Sequence, residues 1–383
     1  MTNIRLHHYS KDNIENNFKS TVGASLTQNL GKKTIVFFSF DEKNNQTKII
    51  NKTHKNLKFI HIGGTNGKGS TAHYISSILQ ESGYKGGLFT SPHLVNVNER
   101  IRINGVPISN KEIDLFIKSY KTDIEKYEAT FFETITALAF YYFKKEDVDI
   151  AIMETGLGGR LDSVSICEPL ATIITPISYD HMEILGETLA EIAFEKAGVI
   201  KKDVVCISAK QNSAATKVLT EKADKVKAPI HFLNGESLPN YDINIPGVTQ
   251  RENALLAVSA LSHINGFIIP EEAVVKGLQT VQWFGRNHIL RKNPLVIFDV
   301  AHNLESLRCF LEYYDSLKIY EDSVLVIALQ ARKRIQPIIP RLQSVFQYII
   351  CTETNGRNPM AVETLMAHFV DSPNADIIQN PEN

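Results

Sequence analysis

The sequence is poor in cysteine and carries no excess of either charge, and both shortages exclude classes of protein. It has four cysteines, Cys167, Cys206, Cys309 and Cys351. They are far apart and never form a C-x-x-C pair, so neither a zinc site nor a disulfide framework is predicted. With 41 basic and 42 acidic side chains, no global charge attracts nucleic acid or an anionic membrane. We therefore expect no nucleic-acid partner and no membrane partner.

Long apolar runs, internal repeats and low-complexity tails are also missing. The first residues lack the apolar core of a signal peptide, and no early apolar segment is long enough to span a bilayer. Together with the isolated cysteines, this favours a cytoplasmic protein. At 383 residues the chain exceeds the size at which one core stops growing, so two domains are expected.

The most informative segment is a glycine-rich turn between an apolar run and a helical pattern. It reads HIGGTNGKGST from His61 to Thr71. The run Lys58 to Ile62 predicts a buried strand, and the apolar spacing from Ser70 to Ser82 predicts a helix. In such a turn, glycines let backbone N–H groups converge on an anion at a helix N-terminus. The segment therefore predicts a phosphate loop, which we define as residues 64–70.

Two side-chain types in this loop fit a bound nucleotide. Lys68 would reach the terminal phosphates, and a hydroxyl of Ser70 or Thr71 is a candidate magnesium ligand. The fit to the standard phosphate-loop pattern is incomplete, because Ile62 occupies its first glycine position and Gly69 separates the lysine from the hydroxyls. A plain glycine-rich turn from strand to helix is the alternative.

Apolar strand-like runs alternate with helical segments through the first two thirds of the chain. This alternation predicts an α/β fold with a mainly parallel sheet. The runs are Lys58 to Ile62, Gly87 to Thr90, Asp149 to Met153, Ala171 to Ile177 and Val204 to Ser208. Ligands bind at the carboxyl ends of such strands, so the polar residues after each run are expected to share one rim.

A second, smaller α/β region follows a glycine-arginine turn. We expect helices at Gln250 to His263 and Pro270 to Gln279, and place the domain boundary between Val281 and Arg286. The predicted domains are residues 1–281, which bind nucleotide, and residues 286–383. In the second domain the pattern predicts strands Leu295 to Phe298, Val324 to Leu329 and Tyr348 to Cys351, with a helix from about Leu304. A cleft between two such domains suits a reaction that must exclude water.

Charged residues just past the predicted strands are candidates for chemistry. Glu154 and His181 are possible magnesium ligands beside the phosphates. Alternatively, Glu154 caps a helix and His181 is a hydrogen-bonded loop residue. Lys196 lies two residues before Gly198, and a lysine there usually interacts only with the negative end of the helix dipole.

The second domain contributes three further candidates. Asp299 and His302 follow a strand directly, and this arrangement aims both into the proposed cleft, although Asp299 could instead cap a helix. Arg286 could bind a phosphate or an acyl phosphate with its fork of donors. An exposed arginine in a turn is the alternative.

From about His61 to Arg308, five motifs in order resemble the folylpolyglutamate synthase and dihydrofolate synthase branch of the Mur ligases. They are Gly64 to Ser70; Thr90-Ser91-Pro92-His93-Leu94 with Glu99-Arg100-Ile101 and Ile103-Asn104-Gly105; Glu154 to Asp162; Asp180-His181; and Glu195-Lys196-Ala197-Gly198. Phe131-Phe132-Glu133-Thr134 also resembles a family motif. Its aromatic rings suit a pteridine pocket, or equally a buried helix start.

The resemblance implies a large ATP-binding domain, a smaller C-terminal ligase domain and an ATP-dependent amide ligase, here expected to be a monomer. In the family, ATP phosphorylates a carboxylate to an acyl phosphate, and the amine of L-glutamate attacks it. The expected acceptor is a folate or dihydropteroate. The resemblance assigns nucleotide binding to Gly64, Thr65, Asn66, Gly67, Lys68, Gly69, Ser70, Gln250, Asn253, Arg286 and Asp299.

It also assigns the catalytic chemistry. Lys68, Lys196, Asp299 and His302 are the implied catalytic residues, with Lys196 carbamylated and Lys68 on the terminal phosphates. Ser91, Glu154 and His181 are the implied magnesium ligands.

The chain departs from the family pattern at several positions. Ser163-Val164-Ser165 replaces Ala-Thr-Asn, Val300 and Leu304 replace a glycine and a proline, and Met360 replaces an arginine. The segment Ala331-Arg332-Lys333-Arg334 stands where the family carries Asp-Lys-Asp. Two alternatives therefore accompany the glutamate ligase: a related ligase with a changed amino acid or acceptor, and a non-catalytic nucleotide-binding relative.

Overall fold

The structure is a computed structural model that describes residues 57–319, 323–354, 358–370, 372 and 374–378. Before residue 57 it describes only the backbone of four short strands, which form two antiparallel hairpins. They are β1 (Leu26–Leu30), β2 (Lys33–Phe37), β3 (Ser39–Asp41) and β4 (Gln46–Lys48).

An eight-stranded sheet organises the first domain. Its strands are β5 (Phe59–Gly63), β6 (Gly86–Phe89), β7 (Ile101–Ile103), β8 (Val106–Pro107), β9 (Ile150–Glu154), β10 (Ala171–Ile174), β11 (Val205–Ala209) and β12 (Ile230–Leu233). Their order is β12-β11-β10-β5-β9-β6-β7-β8. The six strands from β12 to β6 are parallel, and β7 and β8 extend the edge in antiparallel fashion. The predicted α/β class with a mainly parallel sheet is confirmed.

Eight α-helices of this domain lie among the described residues. They are α1 (Lys68–Glu81), α2 (Asn110–Lys126), α3 (Phe131–Lys145), α4 (Met182–Leu185), α5 (Leu189–Lys196), α6 (Ser213–Val226), α7 (Val248–Ser262) and α8 (Glu271–Thr280). Short 3-10 helices span Val97–Arg100, Ser163–Ile166 and Ala197–Val199. Thr130 and Thr188 begin α3 and α5 with capping boxes, which satisfy the free N–H groups of the first turn.

Helices cover both faces of the sheet because alternate residues of each central strand point to opposite sides. In β9, Ile150 and Ile152 join the core beneath α1, α7 and α8, whereas Ala151 and Met153 join the core beneath α2 and α3. The loops that follow the carboxyl ends of the strands share one rim.

One close helix crossing fixes α1 against α8. A Cβ atom on Gly277 would lie 2.7 Å from Cα of Ile78, so only glycine fits there without a shift. The hydroxyl of Ser77 donates a hydrogen bond of 2.7 Å to the carbonyl oxygen of Gly277. Since α1 begins in the phosphate loop, this crossing anchors the loop's helix to the body of the domain.

The C-terminal region has its own core, which draws on residues from Ile297 onward. Its elements are β13 (His288–Lys292), β14 (Leu295–Phe298), α9 (Leu304–Ser316), β15 (Val324–Ile327), α10 (Ile339–Val345), β16 (Tyr348–Thr352), α11 (Val362–Met366) and β17 (Ala375–Ile378), with 3-10 helices at Gln336–Ile338 and Ala367–Phe369. Strands β15, β16 and β17 form a parallel sheet. The two-domain architecture agrees with the prediction.

Strand β14 differs from the expected arrangement. The sequence pattern places Leu295 to Phe298 first in the small α/β domain, but β14 pairs with β13 as an antiparallel ribbon. The two residues Asn293 and Pro294 form the turn between them, which suits a hairpin rather than a helical crossover. Strand β13 escaped detection because HILRK is mostly exposed and shows no clean alternation.

Candidate active site

The phosphate loop lies directly after β5 and its backbone is open toward the rim. Gly64 and Gly67 adopt positive φ angles of 130° and 91°, and Gly67 is the N-cap of α1. A Cβ atom on Gly67 would overlap the side-chain oxygen of Asn253, which places this α7 residue against the loop. The glycines therefore allow both the turn and its close contact with α7.

Three polar side chains at the start of α1 are placed where they could bind a ligand. Lys68 Nζ donates a hydrogen bond of 2.9 Å to the carbonyl oxygen of Thr65, so the lysine folds back over the loop. The hydroxyls of Ser70 and Thr71 are buried in the first turn of α1, and neither has a hydrogen-bond partner among the described residues. Buried hydroxyls normally find a partner, which a phosphate or a cation would supply here.

Glu154 ends β9 beside this loop, so it does not cap a helix. Only 3% of its surface is exposed, and its Oε2 accepts a 3.0 Å hydrogen bond from the backbone N–H of Ser91. Burial raises the pKa of Glu154, while the positive charge of Lys68 lowers it. Two of the three predicted magnesium ligands, Ser91 and Glu154, are therefore adjacent.

His181 lies on the same rim in a different arrangement. It adopts a left-handed conformation with φ of 50° and is the N-cap of α4. Its nearest charged groups are the carboxylates of Asp180 and Glu183, at 4.0 and 3.9 Å, and burial lowers its pKa. His181 forms no hydrogen bond to Ser91 or Glu154. No cluster of three or more metal-ligating His, Cys, Asp or Glu side chains occurs within the described ranges.

Lys196 is buried rather than exposed at the helix end. Its Nζ donates a 2.7 Å hydrogen bond to the carbonyl oxygen of Gly64 in the phosphate loop. Burial is the main reason that its pKa falls to about 7, and the charge of Lys68 lowers it further. The neighbouring Glu195 pairs with Arg160 across 2.9 Å, which fixes the end of α5. The environment of Lys196 thus differs from that of an ordinary helix-terminal lysine.

Asp162 closes the glycine-rich loop after β9. Its Oδ2 accepts hydrogen bonds from the backbone N–H groups of Gly156 and Leu157, at 3.0 and 2.9 Å. Burial raises the pKa of Asp162 to about 6, although these bonds oppose the shift. The ring of Phe132 packs against Gly156, where a Cβ atom would collide with it. Phe132 is therefore both the start of a buried helix and part of the wall beside this loop.

The second domain brings Asp299 and His302 to the same rim. Asp299 does not cap a helix: it accepts hydrogen bonds of 2.7 and 2.8 Å from the backbone N–H groups of Asn287 and Ala301. Burial raises its pKa, against the effect of those bonds and of Arg286. His302 is about half exposed and its Nε2 lies 3.6 Å from Oδ2 of Asp180. The helix cap in this segment is Asn303, which begins α9.

Arg286 lies in the linker, which we define as residues 281–287 between α8 and β13, and it contacts Trp283, which the sequence pattern did not single out. Its guanidinium lies 5.5 Å from the ring of Trp283, and its Nη1 donates to the carbonyl oxygen of Gly285. Trp283 also stacks on His73 of α1 with ring centroids 3.8 Å apart. A Cβ atom on Gly69 would lie 3.1 Å from Trp283, so the indole touches the phosphate loop. The signal was available, since Trp283 directly precedes the Phe284-Gly285-Arg286 turn.

Asp180 binds residues of the second domain, which its place beside His181 in the sequence does not reveal. Lys333 Nζ lies 2.6 Å from its Oδ1, and Asn303 Nδ2 lies 2.9 Å from its Oδ2. Burial favours the protonated acid, but the bond from His302 and the charges of His181 and Lys333 hold the pKa of Asp180 well below its usual value. Nothing in the local sequence reveals contacts that cross a domain boundary.

The chain is similar to known proteins over much of its length. A family model of the Mur ligase middle domain matches residues 62–203. The chain is 37% identical over 323 residues to the dihydrofolate synthase/folylpolyglutamate synthase of Bacillus subtilis, covering 76% of this chain and 75% of the relative. The chain belongs to the folylpolyglutamate synthase and dihydrofolate synthase family.

Solved structures support the family membership. The Mycobacterium tuberculosis folylpolyglutamate synthase complexed with ADP and AMPPCP is 27% identical, with a TM-score of 0.80 over 85% of this chain and 82% of that chain. A bifunctional folylpolyglutamate synthase/dihydrofolate synthase with Mn, AMPPNP and L-glutamate bound is also 27% identical, with a TM-score of 0.76 over 85% and 81% of the two chains. This folylpolyglutamate synthase family member is accordingly an ATP-dependent ligase.

Two family-level departures are visible in the structure. Arg332 and Arg334 are both exposed, and Arg332 adopts a left-handed conformation with φ of 66°. Lys333 between them is almost fully buried, in contact with Asp180.

Among the described residues, no helix is both long and apolar enough to cross a membrane.

Proposed function

We propose that this chain uses ATP to join L-glutamate to the carboxylate of dihydropteroate or of a reduced folate. The acceptor carboxylate oxygen attacks the γ-phosphorus, ADP leaves, and an acyl phosphate forms. The glutamate nitrogen then attacks the acyl carbon, loses a proton, and inorganic phosphate leaves. The observation that carries this proposal is the phosphate loop, with a lysine folded over it and two buried hydroxyls that have no hydrogen-bond partner in the described part of the chain.

Each end of the reaction has a chemical group suited to it. Backbone N–H groups of the loop and Lys68 would stabilise the charge on the transferred phosphoryl group. Arg286, whose guanidinium is oriented by Trp283, would bind the same phosphates or the acyl phosphate from the linker. Asn253 lies against Gly67 and would help to hold the nucleotide there.

The donor set near the loop fits a divalent cation. Glu154 is buried, and its Oε2 accepts a hydrogen bond from Ser91. Within the ranges that the structure describes, its Oε1 accepts none and the Ser70 and Thr71 hydroxyls have no partner. Magnesium takes oxygen ligands and commonly only one or two carboxylates beside phosphate. Ser91, Glu154 and His181 would hold it, together with a loop hydroxyl. When bound, the ion would neutralise charge on the phosphates.

Lys196 is proposed to carry a carbamate. Carbamylation requires a neutral amine, and a pKa of about 7 supplies one at physiological pH. The product is a carbamate, so a carboxylate-like anion replaces the buried amine. Lys196 lies within hydrogen-bond distance of the phosphate loop, so this group would orient the loop and its bound ions.

The second domain would complete the site. Asp299 and His302 lie on one short loop, and hydrogen bonds to backbone atoms hold both side chains in place. They would contact the nucleotide or the acyl phosphate. Closing the cleft would exclude water, which would otherwise hydrolyse the acyl phosphate. A cytoplasmic location and a monomeric state stay predictions.

The test is product analysis after incubation with Mg-ATP, bicarbonate and L-glutamate. One reaction contains dihydropteroate and the other tetrahydrofolate, and mass spectrometry detects the added glutamyl unit. A gain in either reaction supports the proposal and separates the synthase activity from polyglutamylation. If neither reaction yields a product with an added glutamyl unit, although the protein is folded and binds ATP, the proposal is contradicted.

A further inference from the structure

We propose that Asn303 and Lys333 are positioning residues that latch the C-terminal domain onto the phosphate loop. The latch consists of Asn66 and Asp180 on the first domain and Asn303 and Lys333 on the second. Its activity readout rests on the proposed function, whereas its structural readout does not. None of the chemistry assigned above uses the side chain of Asn303 or Lys333.

The first part of the latch is a reciprocal pair of amides. Asn66 Nδ2 donates to Asn303 Oδ1 across 3.1 Å, and Asn303 Nδ2 donates to Asn66 Oδ1 across 3.0 Å. Each side chain acts as donor and acceptor at once, which only a primary amide can do with this geometry. Asn66 belongs to the phosphate loop, so this pair connects the loop directly to the start of α9.

The second part is the carboxylate of Asp180. It accepts from Lys333 Nζ across 2.6 Å and from Asn303 Nδ2 across 2.9 Å. The Lys333 and Asp180 side chains are only 9% and 8% exposed, so solvent and salt screen this pair far less than a surface pair. Lys333 therefore binds across the boundary, while its exposed neighbours Arg332 and Arg334 do not take part.

Asn303 joins the two parts and has no hydrogen-bonding capacity left over. Its two amide hydrogens go to Asn66 and Asp180, and its oxygen accepts from Asn66 and from the backbone N–H of Ser306. A fully satisfied amide at a helix N-cap is held in one orientation. The loop of Asp299 and His302 directly precedes Asn303, so the latch sets the distance between these residues and the phosphates.

The latch predicts a separation of nucleotide binding from catalysis. Most of the nucleotide contacts assigned above lie in the first domain, and Asp299 and His302 are the ones that come from the second domain. Nucleotide binding should therefore depend only weakly on how the second domain is held. Alignment of the acyl phosphate with the amine requires the second domain to be held in place, and a small misplacement is costly in rate. Loss of the latch should therefore lower kcat by a much larger factor than it raises the Kd for ADP.

Two variants test this, with a third as control. Asn303→Asp keeps the acceptor that caps α9 but removes both donated bonds and places a second carboxylate beside Asp180. Lys333→Met keeps the aliphatic stem and removes the charge. The control is Arg341→Met, which breaks the 2.5 Å ion pair to Asp315 within the C-terminal domain. The full-length chain is used throughout.

Three quantities are measured: kcat for glutamate addition, Kd for ADP, and the radius of gyration by small-angle X-ray scattering. We expect both latch variants to lose kcat by about ten- to hundredfold, with a rise of at most about twofold in the Kd for ADP and a larger radius of gyration, while the control matches wild type. Lys333→Met leaves the helix cap intact and so decides the matter if Asn303→Asp fails to fold.

Wild-type kcat or an unchanged radius of gyration in Lys333→Met would overturn the latch. A loss of ADP affinity equal to the loss in kcat would also overturn it, because the damage would then lie in the loop itself. If wild-type protein forms no product with either acceptor, the proposed function fails, and the scattering comparison alone still decides the latch.

Discussion

Lys196 and Gly64 are joined by a 2.7 Å hydrogen bond from the lysine Nζ to the glycine carbonyl oxygen, which ties the end of α5 to the phosphate loop. The bond lies in the interior, where only 5% of Lys196 is exposed. A lysine there is costly as a cation and readily gives up its proton. The first two predictions follow from this.

Removing carbon dioxide should inactivate the enzyme reversibly. The fraction of Lys196 that is in its neutral amine form decreases as the pH falls below about 7. Carbamylation and glutamate incorporation should therefore decline there. The measurement is activity in carbon dioxide-free buffer, with and without added bicarbonate, across this pH range. Lys196→Arg should remain inactive even with bicarbonate, since a guanidinium keeps its proton. Full activity without carbon dioxide would contradict the proposed carbamate.

The same pKa shift should appear in stability. Without carbon dioxide, the folded chain loses the Lys196 proton above about pH 7, whereas the unfolded chain keeps it up to about pH 10.4. The unfolding free energy should therefore rise with pH across that window relative to Lys196→Met. Below it both states bind the proton, so the difference should be constant. Urea titrations of the two proteins at several pH values measure this. If the unfolding free energies of the two proteins change with pH in parallel, the lowered pKa of Lys196 is contradicted.

Lys68→Ala should reduce kcat by about a hundredfold or more, because it removes a cation that stabilises the transferred phosphoryl group. The matched control is Lys121→Ala, an exposed lysine of α2 that forms a 3.7 Å ion pair with Glu125. Product formation by mass spectrometry is the measurement. A near-normal rate for Lys68→Ala would refute the phosphate role.

Arg332 and Arg334 should govern how the amino-acid substrate is bound. Changing both to aspartate removes two exposed positive charges beside the cleft, and aspartate tolerates the left-handed conformation at position 332. We expect KM for L-glutamate to rise by about tenfold, with KM for ATP unchanged. The reason is that the protein loses two positive charges that would attract the two carboxylates of L-glutamate. Arg291→Asp in the exposed strand β13 is the control. A panel of amino acids run alongside would reveal any preference other than glutamate.

Gly277→Ala should destabilise the fold by about 1–3 kcal/mol, since a methyl group at the α1–α8 crossing must displace the Ile78 backbone. Gln279→Ala on the exposed face of the same helix serves as the control. Urea midpoints report the difference. Equal midpoints for the two variants would show that the crossing can widen at little cost.

The sequence predicted the central strands well because their apolar runs are short, buried and bounded by turns. Strand β11 was placed within one residue of Val205–Ala209. The run from Ala171 was predicted to reach Ile177, whereas β10 ends at Ile174, two residues before Pro176, which has no N–H for the ladder. The short edge strands β7 and β8 carry too few residues for a periodic signal.

Site geometry was less predictable for a physical reason. The lysine of Glu195-Lys196-Ala197-Gly198 reads as an exposed helix end, because local spacing does not reveal which side of α5 meets the phosphate loop. The pair of Asn66 and Asn303 depends on how two domains are oriented, which no local pattern encodes. Motif resemblance identified the chemistry, while the contacts between motifs required the fold.

Trp283 is the only tryptophan in the chain, and its indole lies between α1 and the linker arginine. All of the intrinsic tryptophan emission of this protein therefore originates beside the phosphate loop. Its neighbours His73 and Arg286 belong to α1 and to the linker, which meet beside the phosphate loop. The chain thus contains a built-in optical reporter of that junction, which needs no label.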